Sequence, residues 1–238
     1  MDTSPSVMFS IIMPIWNRAD ICKKAIHSVL HQTCQNFELI IIDDGSDDNL
    51  GEEISSYLSE EVIFYRIPHS GVSAARNYGL KHAQGEYIAY LDSDNTWYPQ
   101  FLSVMGEALK KNGTSKKAAY CKYNLYKKIP IINKMFLRSI QGQEFNFRKL
   151  LNRNYIDLNT FVHARECIET VGLFDENLNR LVDWDYIIRI TAIYEPIFVP
   201  EVLVNYYLNI CDVSIAKTER ESIAKEVIRK KNLVYMNK

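Results

Sequence analysis

Asp92 and Asp94 stand one residue apart where the apolar run Tyr87-Ile88-Ala89-Tyr90-Leu91 ends. Two carboxylates at that spacing can hold a divalent cation, Mn²⁺ or Mg²⁺, whose far side takes a phosphate. The same Asp-x-Asp pattern also makes a plain turn, because short acidic side chains bond to their own backbone. Other reactive side chains occupy comparable places. Trp16 and Arg18 follow one apolar run, and Asp43-Asp44-Gly45-Ser46 follows another. Arg76 stands near the head of a helical pattern, and Asp183 opens a later one. A guanidinium pairs with a phosphate or a carboxylate. A carboxylate at a helix start either takes a proton or caps the helix, and the helix N-terminus would lower its pKa.

The elements that must carry these groups are legible in the hydrophobic pattern. Residues 9 to 14, 37 to 42, 62 to 67 and 87 to 91 are short, apolar and β-branched or aromatic, so they read as strands. A helical spacing through Ile21, Ala25, Val29 and Leu30 follows the first strand, and another opens at Gly71 and runs to about Ala83. Strand and helix alternate four times, which predicts right-handed crossovers and a Rossmann-like α/β fold with a mostly parallel sheet flanked by helices. In such a sheet the carboxyl ends of the strands line the ligand crevice, and each strand end here carries polar residues into it.

At 238 residues, 47% hydrophobic and 24% charged, the chain can bury a full core, and one continuous fold is expected. Five scattered cysteines, Cys22, Cys34, Cys121, Cys167 and Cys211, form no Cys-x-x-Cys pair and read as reduced packing residues of a cytoplasmic protein. Asp2 in place of a basic leader, and no run of eighteen apolar residues, predict a chain that is neither exported by a signal peptide nor membrane-spanning. The net charge of −1 hides an asymmetry. Residues 110–149 carry eleven Lys and Arg against Glu144 alone, interleaved with Tyr120, Tyr123, Tyr126, Phe136, Phe145 and Phe147. One such run can be a solvated face, and it also suits an anionic acceptor or peripheral contact with the inner face of an anionic membrane. Nothing resembles a nucleic-acid recognition motif. From Lys217 onward a basic amphipathic helix is expected, packed on the domain through Ile223, Val227 and Val234.

The motifs taken in order resemble those of a family 2 glycosyltransferase of the GT-A fold. The matching residues are Pro14 to Arg18, Gln32-Thr33, Asp43 to Ser46, Gly71 to Asn77, Gly85 to Ile88, Asp92-Ser93-Asp94, Val171 to Glu176 and Val182 to Asp185. The resemblance implies an inverting transfer from a UDP-sugar, or a dTDP-sugar, to a hydroxyl of a glycan or lipid-diphosphate-linked glycan, as in bacterial surface polysaccharide. It further implies a nucleotide-sugar site at Pro14, Trp16, Arg18, Asp44, Arg76, Asp92 and Ser93. Trp16 would stack on the base and Asp44 would accept its imide N–H. Asp94 would hold Mn²⁺ or Mg²⁺ on the diphosphate, and Asp183 would be the catalytic base, with Asp185 its rival. Residues 1–115 would form the nucleotide-sugar half, 116–212 a smaller acceptor-side half of the same domain, and 213–238 the C-terminal helix.

Two residues depart from the family pattern. Val182 stands where an acid usually precedes the base, and Asn209 stands where a histidine usually reaches the metal or diphosphate. Two other readings are weaker. A sugar nucleotidyltransferase would need a glycine-rich phosphate loop, and Met13-Pro14-Ile15-Trp16-Asn17 has none. A non-catalytic glycan-binding homologue would have no use for Asp44, Arg76, Asp92, Asp94 and Asp183 together.

Overall fold

The computed structural model describes residues 8–111, 116–129, 134–208 and 215–235. The expected alternation is present as β1 (Phe9–Ile15), α1 (Cys22–Leu30), β2 (Phe37–Asp43), α2 (Leu50–Ile54), β3 (Val62–Arg66), α3 (Val72–His82) and β4 (Tyr87–Tyr90). β1 pairs in parallel with β2 and β4, and β2 with β3. Every residue of β1, β2 and β4 is buried. A strand covered on both faces keeps no polar alternation, which is why these segments read as continuous apolar runs.

A buried polar seam fixes how β4 enters. Glu38 accepts from the Ser10 hydroxyl and from the Gln84 N–H, both at 2.6 Å, and the Gly85 N–H donates to Ser10 Oγ at 2.7 Å. A buried carboxylate must be bonded this way or its desolvation is uncompensated. A Cβ at Gly85 would lie 2.4 Å from the Ser10 nitrogen, so only glycine lets the turn before β4 close on β1. The position of Asp92, beyond the end of β4, follows from that closure.

The rest of the chain extends the same sheet with mixed pairing. Its elements are β5 (Thr96–Trp97), α4 (Phe101–Lys111), β6 (Ala118–Ile129), β7 (Lys134–Gln141), α5 (Phe147–Asn152), β8 (Phe161–Ala164), α6 (Cys167–Val171), α7 (Val182–Thr191), β9 (Ile197–Leu208) and α8 (Ile215–Lys231). The described strands run in the order β3-β2-β1-β4-β8-β6-β9-β5. β8 is antiparallel to β4 and β6, while β9 is parallel to β6. One edge of β6 is taken by β8 over Ala118–Tyr120 and by β7 over Tyr123–Ile129, so β6 and β7 form an arm beside the main sheet.

The C-terminal helix turns a different face inward from the one its apolar spacing predicts. Ile223, Val227 and Val234 are 63%, 45% and 71% exposed, whereas Ile228 and Asn232 are buried. The cause is a polar anchor: Lys231 Nζ lies 3.0 Å from Asp185 Oδ2, and Asn232 Nδ2 donates to Asp185 Oδ1 at 3.1 Å. Asn209 and Cys211 lie outside the described residues, and the other four cysteines are free thiols. No described helix is long and apolar enough to cross a membrane.

Candidate active site

The loops that leave β1 and β2 interlock. The Asn17 N–H donates to Ser46 Oγ at 2.9 Å, the Asp47 N–H donates to Asn17 Oδ1 at 2.7 Å, and the Ala19 N–H donates to Asp48 Oδ2 at 2.8 Å. Gly45 has a left-handed φ of 72°, and a Cβ there would approach the His69 nitrogen to 2.7 Å. That close approach seats the loop before α3 against the end of β2. Asp44 holds it there: Oδ1 accepts from the Ser70 N–H at 2.7 Å, Oδ2 accepts from the Gly71 N–H at 2.9 Å, and His69 Nδ1 is 3.0 Å from Oδ2. Trp16 is half exposed and stacks on His69, with ring centroids 4.4 Å apart. It is a rim residue with one face covered, not a core aromatic.

Beyond β4, both acids of the Asp-x-Asp are held by cations. Arg76, itself buried, places Nη2 at 2.8 Å from Asp92 Oδ1, and Arg18 pairs through Nη1 with Asp94 Oδ2. Burial pushes the Asp94 carboxyl above its ordinary range; the Arg18 cation opposes this and the neighbouring Asp92 charge adds to it. Asp92 has a second clamp. Asn159 accepts its N–H at 2.7 Å and donates Nδ2 to its Oδ2 at 3.0 Å, while the same Nδ2 donates to Asp157 Oδ1 at 2.8 Å. Asp157 is driven up to about 7, chiefly by burial, with the Asn159 bond opposing and the Asp92 charge adding.

Pro14, Trp16, Arg18, Asp44, Arg76, Asp92, Ser93 and Asp94 line one cavity of about 460 Å³, together with His69, Gly71 and Tyr206. Residues from the ends of β1, β2 and β4, and from α3, thus meet as their strand-end positions predict. Asp183 is not among the lining residues, yet it is close enough for the Arg76 cation and the Asp92 charge to act on it. It is the second residue of α7 and accepts from Asn154 Nδ2 at 3.1 Å. Leu181, with a left-handed φ of 56°, takes the N-cap place.

Two sequence expectations are corrected here. The Asp183 carboxyl is raised, not lowered, because burial outweighs both the Arg76 cation and its bond from the Trp184 N–H. Asp185, the rival base, is fully buried and bound to Arg189 Nε at 3.0 Å, Lys231 and Asn232, so it anchors α8 and is closed to a substrate. Sequence reasoning missed His69, Asn159, Asp157 and Tyr206. His69 stands two residues before a motif glycine, and the run Asp157-Leu158-Asn159 belongs to no pattern. Only the fold brings it under β4.

The donor set fits a hard divalent cation. No group of three or more His, Cys, Asp or Glu able to hold a metal occurs among the described residues. Asp94 with Asp92 beside it matches the usual Mg²⁺ or Mn²⁺ arrangement, in which one or two carboxylates hold the ion and substrate phosphates and water complete it.

Residues 10–165 match the family Glycosyl transferase family 2, a span holding every cleft residue except Tyr206. The chain is a member of glycosyltransferase family 2. This transferase is 32% identical over 228 residues to the putative colanic acid biosynthesis glycosyl transferase WcaA of Escherichia coli K12, covering 90% of the chain and 77% of that protein. It is 32% identical over 159 residues to the Escherichia coli UDP-Glc:alpha-D-GlcNAc-diphosphoundecaprenol beta-1,3-glucosyltransferase WfgD, covering 66% of the chain and 60% of that protein. An uncharacterized glycosyltransferase of Rickettsia typhi is 29% identical over 198 residues, and the chain spans 61% of its length. Among solved structures, the transferase resembles residues 1–349 of Staphylococcus aureus TarS in complex with UDP-GlcNAc, with a TM-score of 0.71 at 16% identity, covering 96% of this chain and 72% of that one. This likeness shows the fold, the GT-A arrangement expected from the motifs.

Proposed function

We propose that this family 2 transferase moves a sugar from a UDP-sugar, or a dTDP-sugar, to a hydroxyl of a glycan or lipid-diphosphate-linked glycan in a single inverting displacement. The observation that carries the reading is the meeting of Trp16, Asp44, Arg76, Asp92 and Asp94 in one cavity, with Asp183 within electrostatic reach of it. Trp16 offers its free face to a pyrimidine, and Asp44 Oδ1, which accepts from the Ser70 N–H, has a second lone pair for an imide N–H. Arg18 is half exposed and can exchange Asp94 for a phosphate. Asp94, with Asp92, would hold Mn²⁺ or Mg²⁺, which when bound stabilises the negative charge of the departing diphosphate.

Asp183 would take the proton of the acceptor hydroxyl as its oxygen bonds to the anomeric carbon and the bond to the diphosphate breaks. The raised pKa suits that role, since a carboxylate held above its ordinary range is a stronger proton acceptor. Attack opposite the leaving group inverts the anomeric carbon. The activity for which WfgD is named and the UDP-GlcNAc complex of TarS support a uridine donor and a lipid-linked acceptor. A setting in surface polysaccharide is supported by the similarity to WcaA, a putative colanic acid biosynthesis transferase.

Calorimetric titration of UDP with and without Mn²⁺ tests the donor site, and the expected result is binding that strengthens with metal. Absence of any UDP or dTDP binding would overturn the reading. Slow hydrolysis across a nucleotide-sugar panel then identifies the donor. With that donor and a lipid-linked acceptor, Asp183→Asn is expected to abolish transfer and leave UDP affinity intact; an active variant would remove Asp183 as base.

A further inference from the structure

The β6–β7 arm combines two properties that a solvated hairpin does not need together. Lys127, Lys128, Lys134 and Arg138 are exposed, and among the described residues none of them pairs with a carboxylate. Phe136, Leu137 and Ile140 are 44%, 51% and 57% exposed on the same strand pair. Lysines and a bulge on an edge strand are common protection against edge-to-edge aggregation, and the register shift at Leu125/Tyr126 is such a bulge. That protection explains the charges but not three large apolar side chains left in water beside them.

The register interleaves the two kinds of residue. Lys127 lies opposite Phe136, Lys128 opposite Met135 and Tyr126 opposite Leu137, and opposed residues share a face. Both faces therefore carry a cation next to an apolar side chain, the mixture that suits an anionic headgroup layer, where ammonium and guanidinium groups meet phosphates and apolar groups reach the acyl boundary. The arm is continuous with the site. Leu125 sits beside Tyr206 in the β6–β9 pairing, Tyr206 lines the cavity, and the first exposed cation, Lys127, is two residues further along β6.

We propose that the β6–β7 arm docks on an anionic lipid bilayer and so brings the acceptor side of the cleft to the membrane surface. This deepens the reading of a lipid-linked acceptor, but the docking is measured without donor, metal or acceptor, so it can fail while UDP binding stands, and the reverse.

The experiment is sedimentation of the full chain with phosphatidylcholine vesicles made with and without phosphatidylglycerol. The chain is expected to bind the anionic vesicles, to lose them as salt is raised, and to ignore the neutral ones. Each basic residue near an anionic surface changes partitioning roughly fivefold, so Lys127→Gln, Lys128→Gln and Arg138→Gln combined are expected to weaken binding on the order of a hundredfold. Phe136→Ser with Leu137→Ser is expected to weaken it while the salt dependence is kept. UDP titration reports that each variant is folded, since none of these residues lines the cavity. No binding of the unaltered chain to anionic vesicles, equal binding to neutral ones, or a triple variant that binds as before would each overturn the proposal.

Discussion

Asp157→Asn is expected to make the protein more stable at pH 8 and to change little at pH 4. The wild-type carboxyl is raised from 3.8 to about 7, so between these values the folded state keeps a proton that the unfolded chain has released. Stability therefore falls as pH rises through that window, and the cost is complete above about pH 7. A difference of about three pKa units corresponds to roughly 4 kcal/mol as a ceiling. Asp157 is only partly buried, and solvent screening brings the expected gain to about 2 kcal/mol. Asparagine keeps the Oδ1 that accepts from the Asn159 N–H and Nδ2, so the local fold survives the change. For a chain of this length the gain amounts to roughly 4–8 °C in Tm. Thermal unfolding of both proteins by circular dichroism, between pH 4.5 and 8, reads the difference directly. A ΔTm that is flat with pH, or a variant less stable at pH 8, would refute the electrostatic account of Asp157.

Asn159→Ala removes two bonds from Asp92, and a loss of about 1–3 kcal/mol in chemical denaturation is expected, with KM for the donor rising more than kcat falls. Asp185→Asn leaves Lys231 and Arg189 facing a neutral buried group, so denaturation is expected to show a loss of about 3–5 kcal/mol while UDP affinity of the folded protein is unchanged. Chelation by EDTA is expected to weaken UDP binding at least about tenfold, and added Mn²⁺ to restore it, as read by calorimetry.

The parallel half of the fold was legible because burial on both faces leaves β1, β2 and β4 mostly apolar and without polar alternation, and because Trp16, Asp44 and Asp92 each follow such a run at once. The cleft residues were legible for the same reason, as strand ends in a parallel sheet share one edge. What the pattern concealed depends on contacts distant in sequence. Asn159 reaches Asp92 across 67 positions, and neither neighbour of either residue signals the pairing. Helix-dipole reasoning gave the wrong direction for Asp183 because it weighs the residue's own helix and omits the burial supplied by the packed elements around it. The apolar spacing of α8 misled because a buried carboxylate, Asp185, binds Asn232 and Lys231 and sets the helix's rotation.

The double engagement of Asp44 by the Ser70 and Gly71 N–H groups has an evolutionary consequence. A carboxylate free of other duties could be exchanged to suit a new nucleobase, but here the exchange would also release the turn that starts α3 and carries Arg76 to Asp92. With Asp44 reading the base as proposed, donor choice cannot drift one substitution at a time. On that reading a lineage seeking purine donors would have to rebuild residues 69–71 in the same step, so the turn before α3 would hold a pyrimidine preference in place.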